Sequence, residues 1–322
     1  YVSDLAPNPF FIPLEKLVEK KLISQKTLDE IYQIPKQDGY IDFDIVERVY
    51  DKALHEAYKT SKSPKSYDDF VADLYQSCHK NLPAKYIADL QVRIPSDAKG
   101  LKNDLFLPGY SLGAPADAFC KTARNWHFPV FDPKQIFNAD GSLGPAGKVW
   151  QSLLDTALQN ASGGLRIDHY IGFVNPFVIA DSDPQNCGRL YASPDNPNLK
   201  AYQKSDFSDI TRQIILNTAS KYGLTARDIY VEDVGNRPPE LDPVMQACGL
   251  GRLLIAQFLE PDDWNHIYHL SLAKPDDVAV LDTHDTPSIQ MFFESLPEDK
   301  RAKFSWMLAS DLRFNYTDEL RE

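Results

Sequence analysis

The chain has 322 residues, 43% of them hydrophobic and 25% charged, a composition that argues against disordered, fibrous and membrane-embedded classes. Thirty-four Lys and Arg against 46 Asp and Glu leave a formal charge of -12, which repels phosphate backbones and favours a neutral or cationic ligand over nucleic acid. Cys78, Cys120, Cys187 and Cys248 form no CxxC pair, and no apolar run or basic leader marks a membrane segment or signal. A reduced, cytoplasmic setting without a zinc site is therefore expected.

In chain order, residues 14 to 58 read as helical, with Leu14, Leu17, Val18, Leu22 and Ile23 on one face. Capping boxes are expected at Thr27 to Glu30 and Asp44 to Glu47, and Ser66 to Asp69 can open a further helix carrying Phe70, Val71, Leu74 and Tyr75. Residues 83 to 143 hold much of the proline and read as loops around short strands. From 144 the order sharpens: helix 146 to 160, strand 164 to 168, helix 206 to 222 closed by Gly223, strand 228 to 232, a short helix near 239 to 248, and strands 252 to 258 and 277 to 282. Asp181 to Lys200, rich in Pro, Asp, Asn and Ser, reads as a long loop. Alternation of strands and helices argues for an α/β fold with a parallel sheet, open or closed.

Asp168, Glu232 and Asp285 each follow a short β-rich run. In a (β/α)8 barrel the carboxyl ends of all strands open onto one face, so three such carboxylates would share a cleft. Convergent carboxylates suit glycosidic chemistry, which needs one protonated acid at the leaving oxygen and one ionised carboxylate at the oxocarbenium-like carbon. Arg166 lies two residues from Asp168, on the same side of a strand, and is expected to hold it ionised as nucleophile. Glu232 has no adjacent cation in sequence, which lets its pKa rise for an acid/base role. Any one of these acids alone would more often be a helix cap or a surface charge; the combination, with His169 and His284 beside two of them, shifts the balance.

The segments GLRIDHYIGF (164 to 173), VEDVG (231 to 235) and LDTHD (281 to 285) resemble the three signature segments of amylomaltases, the bacterial and plant 4-alpha-glucanotransferases related to α-amylases. The resemblance implies a single catalytic (β/α)8 TIM-type barrel over residues 1 to 322 with a helical subdomain, 14 to 82, inserted in it. It implies Asp168 as nucleophile, Glu232 as general acid/base and Asp285 as the residue that binds ring hydroxyls and stabilises the distorted sugar. Arg166, His169 and His284 would line the subsite of the cleaved glucose.

Weaker matches extend this. GAPADAF (113 to 119) with NWHFP (125 to 129) resembles an upstream family segment and implies Asp117 and Trp126 as substrate-binding residues; Asp104 resembles a strand-end aspartate that would also bind substrate, and Tyr1 a sugar-stacking tyrosine. The family usually has a second proline where Ala116 stands, glutamine and glycine where Arg124 and His127 stand, and often Phe-Arg where Tyr170 and Ile171 stand. By the same comparison the chain begins after the first barrel strand, is short between about 75 and 112, and stops before the last strand. Either further segments lie outside these residues or the chain is a reduced relative of the family; losing core strands would expose sheet edges, which favours the first.

The implied reaction moves segments of maltooligosaccharides or other α-1,4-glucans by a retaining double displacement, without metal or organic cofactor, nucleic acid or membrane. Alternatives are an α-amylase-like hydrolase with the same carboxylates and a catalytically silent glucan-binding protein. His266 and His269 show a metal-like spacing but lack a third ligand fixed by sequence, and read as structural. Gly163-Gly164 precedes a strand and is no phosphate loop. His55 and His79 read as packing or surface residues.

Overall fold

The computed structural model describes residues 9–33, 42–79, 86–92, 94, 103–117, 120–159, 161, 163–183, 185, 187–192 and 207–311.

Four helices, Leu14–Glu19, Gln25–Tyr32, Phe43–Ser61 and Tyr67–His79, gather early in the chain. Their apolar faces meet in one cluster, with Ile12, Leu17, Leu28, Ala53, Leu54, Ala57, Phe70 and Leu74 buried. Each fully buried Leu or Ile there stabilises the packing by about 1.5–3 kcal/mol. Two helix starts differ from expectation. Ser24 caps the second helix by accepting from Thr27 N, and Asp42 caps the third by accepting from Ile45 N. Both lie upstream of the anticipated boxes, because the earlier Ser and Asp already satisfy the free amide donors of the first turn. The cap at Ser66 is as expected: its hydroxyl accepts from Asp69 N and donates to the Asp69 carboxylate.

The rest of the chain is organised by parallel strands in chain order. β1 (Ile87–Leu90) pairs with β4 (Gly164–Ile167), and β4 with β7 (Ile229–Val231). A parallel bridge from Tyr230 to Gly251 leads on to β8 (Leu253–Ile255), which pairs with β9 (Val278–Val280). The helix Pro145–Leu158 precedes β4; a π-helical stretch Ile210–Leu216 running into Asn217–Lys221 separates β4 from β7; the helix Leu241–Cys248 separates β7 from β8. This alternation places the main core between strands (Leu165, Ile167, Ile229, Val231) and helices (Trp150, Leu154, Ile214, Ile215, Val244).

Gly164 makes the β4–β7 pairing possible. Its φ of +136° is open to glycine, and a Cβ there would lie 2.4 Å from the Asp228 carbonyl oxygen.

The proline-bearing region departs most from expectation. β2 (Phe106–Ala114) and β3 (Arg124–Phe131) are long antiparallel partners, joined by β5 (Phe177–Ala180) and the short β6 (Arg189–Leu190) in the order β3-β2-β5-β6. Register shifts fall between Phe106 and Ser111 and between Leu112 and Gly113. β6 and part of its pairing therefore occupy a stretch expected to be loop. The strand expected over 252 to 258 stops at Ile255 and tightens into a 3-10 turn, Ala256–Phe258. Among the described residues no helix is long and apolar enough to cross a membrane.

Candidate active site

Asp168 and Glu232 stand one residue beyond paired positions of neighbouring parallel strands. The β4–β7 register matches Ile167 with Val231, and adjacent strands lie about 4.8 Å apart. Backbone bonds extend the ladders past both acids: Asp168 N donates to Leu90 O (2.8 Å), Glu232 N to Ile167 O (2.9 Å) and Tyr170 N to Glu232 O (2.9 Å). The turn after β4 takes His169 to a φ of +44°, a left-handed conformation that is costly for a non-glycine residue. That turn aims His169 N at Glu232 Oε2 (2.9 Å), while Val234 N donates to Oε1 (2.8 Å). Both oxygens of the Glu232 carboxyl are thus fixed by backbone.

The electrostatics separate the two acids. Burial pushes the Glu232 carboxyl up to about 7; the Asp168 charge adds to this, and the two amide bonds and Arg166 oppose it. Arg166 Nη1 lies 2.9 Å from Asp168 Oδ1, as expected from sequence, but also 3.0 Å from Asp89 Oδ1. Asp168 is consequently not held below the ordinary carboxylate range: burial raises it, Arg166 pulls it down, and Asp89 and Asp285 push it up. The expected Arg166 pairing is present, and what opposes it is physical. The guanidinium is shared, and desolvation outweighs its half of the attraction. Burial, together with Arg124, lowers the His169 imidazole to about 4, so it is neutral at pH 7. Its Nε2 is buried and has no hydrogen-bond partner among the described residues.

Both carboxyls open into a cleft of about 390 Å³. Asp117, Trp126, Arg166, His169 and Asp285, all expected from sequence, line it as well. Trp126 meets the His169 ring edge to face with centroids 4.7 Å apart. The Asp285 side chain is 76% exposed at the rim; its loop is fastened where Gln257 Nε2 donates to Pro287 O (2.7 Å). Two expected residues are not brought together with these. His284 contacts Asp285 (3.3 Å) but points outward, 70% exposed, and does not line the cleft. Asp104 is exposed in the 3-10 turn Asn103–Leu105, whereas β2 reaches the cleft at its far end, Ala114, roughly 30 Å along a nine-residue strand. Tyr1 lies outside the described residues.

Sequence reasoning missed Asp89, whose register partner on β4 is Arg166; an acid at the end of a short apolar run was the available signal. It also gave no role to Arg124, which pairs with Asp117 across the cleft wall (2.5 Å), or to Asn236, Phe177, Ile255 and Phe258, which supply further wall. Among the described residues no group of three or more His, Cys, Asp or Glu could hold a metal ion. His269 Nδ1 accepts from Ser271 N, capping the turn Leu270–Leu272. What the cleft offers is a largely desolvated proton donor beside an Arg-paired carboxylate, the two groups required to exchange substituents at an acetal carbon.

Known proteins share this framework. A 4-alpha-glucanotransferase family model matches residues 96–321. A 4-alpha-glucanotransferase of Chlamydia pneumoniae is 24% identical over 221 residues, which cover 67% of this chain and 38% of that protein. One from Mycobacterium tuberculosis is 30% identical over 116 residues, covering 35% and 15%. Among solved structures, the amylomaltase from Streptococcus agalactiae in complex with acarbose superposes with a TM-score of 0.71 at 17% identity, covering 92% of this chain and 71% of that one. The chain thus spans less than two fifths of the length of the curated relatives it matches. With the family model covering every strand from β2 onward and all four acids of the cleft, the chain belongs to the 4-alpha-glucanotransferase family.

Proposed function

We propose that this chain carries the catalytic centre of a 4-alpha-glucanotransferase that moves α-1,4-glucan segments between maltooligosaccharides with retention of configuration. One observation carries the reading: Asp168 and Glu232 follow register-paired strand ends, face one cleft, and differ in that Glu232 is held up to about 7 while Arg166 sits on Asp168. Glu232 protonates the glycosidic oxygen as Asp168 attacks C1, giving a glycosyl–enzyme ester and a released glucan. The 4-hydroxyl of an incoming glucan then attacks C1, Glu232 takes its proton, and the Asp168 carboxylate is regenerated. A retaining pair needs carboxyl groups about 5–5.5 Å apart, a separation that neighbouring strands about 4.8 Å apart can supply.

Asp285 would bind ring hydroxyls of the distorted sugar, Arg166 and His169 would line the subsite of the cleaved glucose, and Trp126 would offer a ring face. Asp117, paired with Arg124 at the wall, would bind substrate there. His284 keeps its assignment only as a rim contact and Asp104 only as an outlying one, while Tyr1, outside the described residues, keeps the sugar-stacking role that the resemblance implies. Five parallel strands in chain order among the described residues support the (β/α)8 barrel reading, and the separate apolar cluster of the early helices supports an inserted subdomain at 14 to 82. Cytoplasmic glucan is the substrate pool most consistent with four cysteines lacking disulfides among the described residues.

Incubation of the full-length protein with maltotriose tests the reading. Glucose plus oligomers longer than maltotriose are expected. Only shorter products would make it a hydrolase, and binding without turnover a silent relative.

A further inference from the structure

Asp233, next to Glu232, has no place in the chemistry above, yet its side chain is wholly buried. Oδ1 accepts from Leu253 N (3.0 Å), and Oδ2 accepts from Arg252 Nε (3.0 Å) and from Arg237. Arg237 Nη1 also donates to the Asp233 carbonyl (3.1 Å) and its other arm reaches Asp242. Arg252 is itself anchored, through Nη1 to Ile267 O (2.8 Å) and by stacking over the Tyr268 ring at 5.5 Å. One carboxylate therefore ties the end of β7 to the start of β8 through two guanidinium groups and an amide.

This matters because the next amide in the chain, Val234 N, holds Glu232 Oε1. Fixing residue 233 fixes the direction of that N–H, and with His169 N on Oε2 the carboxyl has a single orientation. We infer that Asp233, clamped by Arg237 and Arg252, is a positioning residue that aims the Glu232 proton at the leaving oxygen. The inference rests on the acid/base reading of Glu232. A buried carboxylate serving two arginines is expensive to desolvate, and a clamp of this kind at a residue adjoining a proton donor is where small displacements reduce rate.

The test uses two donors on the full-length protein. Maltotriose needs its leaving oxygen protonated; α-maltosyl fluoride releases fluoride with little help from an acid. Asp233→Asn should lower kcat/KM on maltotriose by about 100-fold, with KM little changed, and fluoride release by at most about threefold. Arg237→Lys should show the same selectivity with a loss of about tenfold on maltotriose, and decides the matter if Asp233→Asn does not fold. Equal losses on both donors, or no loss on either, would overturn the positioning role. Glu232→Gln run alongside separates the two ideas. If it is selective while both clamp variants are not, only the positioning inference falls; if it loses equally on both donors, the acid/base reading falls and takes the inference with it.

Discussion

Replacing Glu232 by Gln removes a carboxyl that burial holds at about 7, against an ordinary 4.5. Between those values the folded chain keeps a proton that the unfolded chain has released, so wild-type stability falls as pH rises through that window. At about 1.4 kcal/mol per pH unit the fall amounts to roughly 3 kcal/mol. The contribution is fully present below pH 4.5 and lost above pH 7. Gln has no such dependence. It does set an amide group against backbone donors from Val234 and His169, a mismatch costing about 1–3 kcal/mol at every pH. Only the pH dependence is therefore diagnostic. Denaturant unfolding of both proteins on either side of the window should show the stability gap moving by roughly 3 kcal/mol in favour of the variant as pH rises. Carboxylates titrating in both proteins cancel to first order. A gap that stays constant, or moves in favour of wild type, refutes a buried, protonated Glu232.

Three further outcomes follow from the same geometry. The alkaline limb of kcat/KM should centre near the Glu232 value of about 7, since the proton donor is lost above it; a profile flat to pH 9 contradicts this. Asp89→Asn should move the acid limb to lower pH, because the Asp89 charge raises Asp168 and competes for Arg166 Nη1; a shift upward contradicts the shared-guanidinium account. Gly164→Ala forces a Cβ to within 2.4 Å of the Asp228 carbonyl at a φ of +136°, and thermal unfolding should show a loss of about 3 kcal/mol; an unchanged midpoint would mean the strands separate freely there.

The parallel strands were readable because a strand covered on both faces is a near-continuous apolar run: Leu165 and Ile167, like Ile229 and Val231, are buried. Each run ends in an acid, which made Asp168 and Glu232 visible. The antiparallel sheet was not, and Pro108, Gly109 and Pro129 show why. They are true turn signals set inside bulged strands, with Gly109 at a φ of +76° where β2 changes register. Asp89 escaped because β1 is only four residues long, and its partner Arg166 declares itself only through register. The upward push on Asp168 was not readable for a related reason: adjacency in sequence revealed the arginine, but neither the second carboxylate that shares it nor the burial that opposes it.

The pairing of Asp168 with Glu232 across one sugar is tested most directly by trapping the covalent intermediate. Full-length protein carrying Glu232→Gln, incubated with a fluorinated glucosyl donor and digested, should yield one glycosylated peptide, modified at Asp168, and none in the Asp168→Asn protein. A sugar attached to any other carboxylate, or an adduct that survives Asp168→Asn, would contradict it.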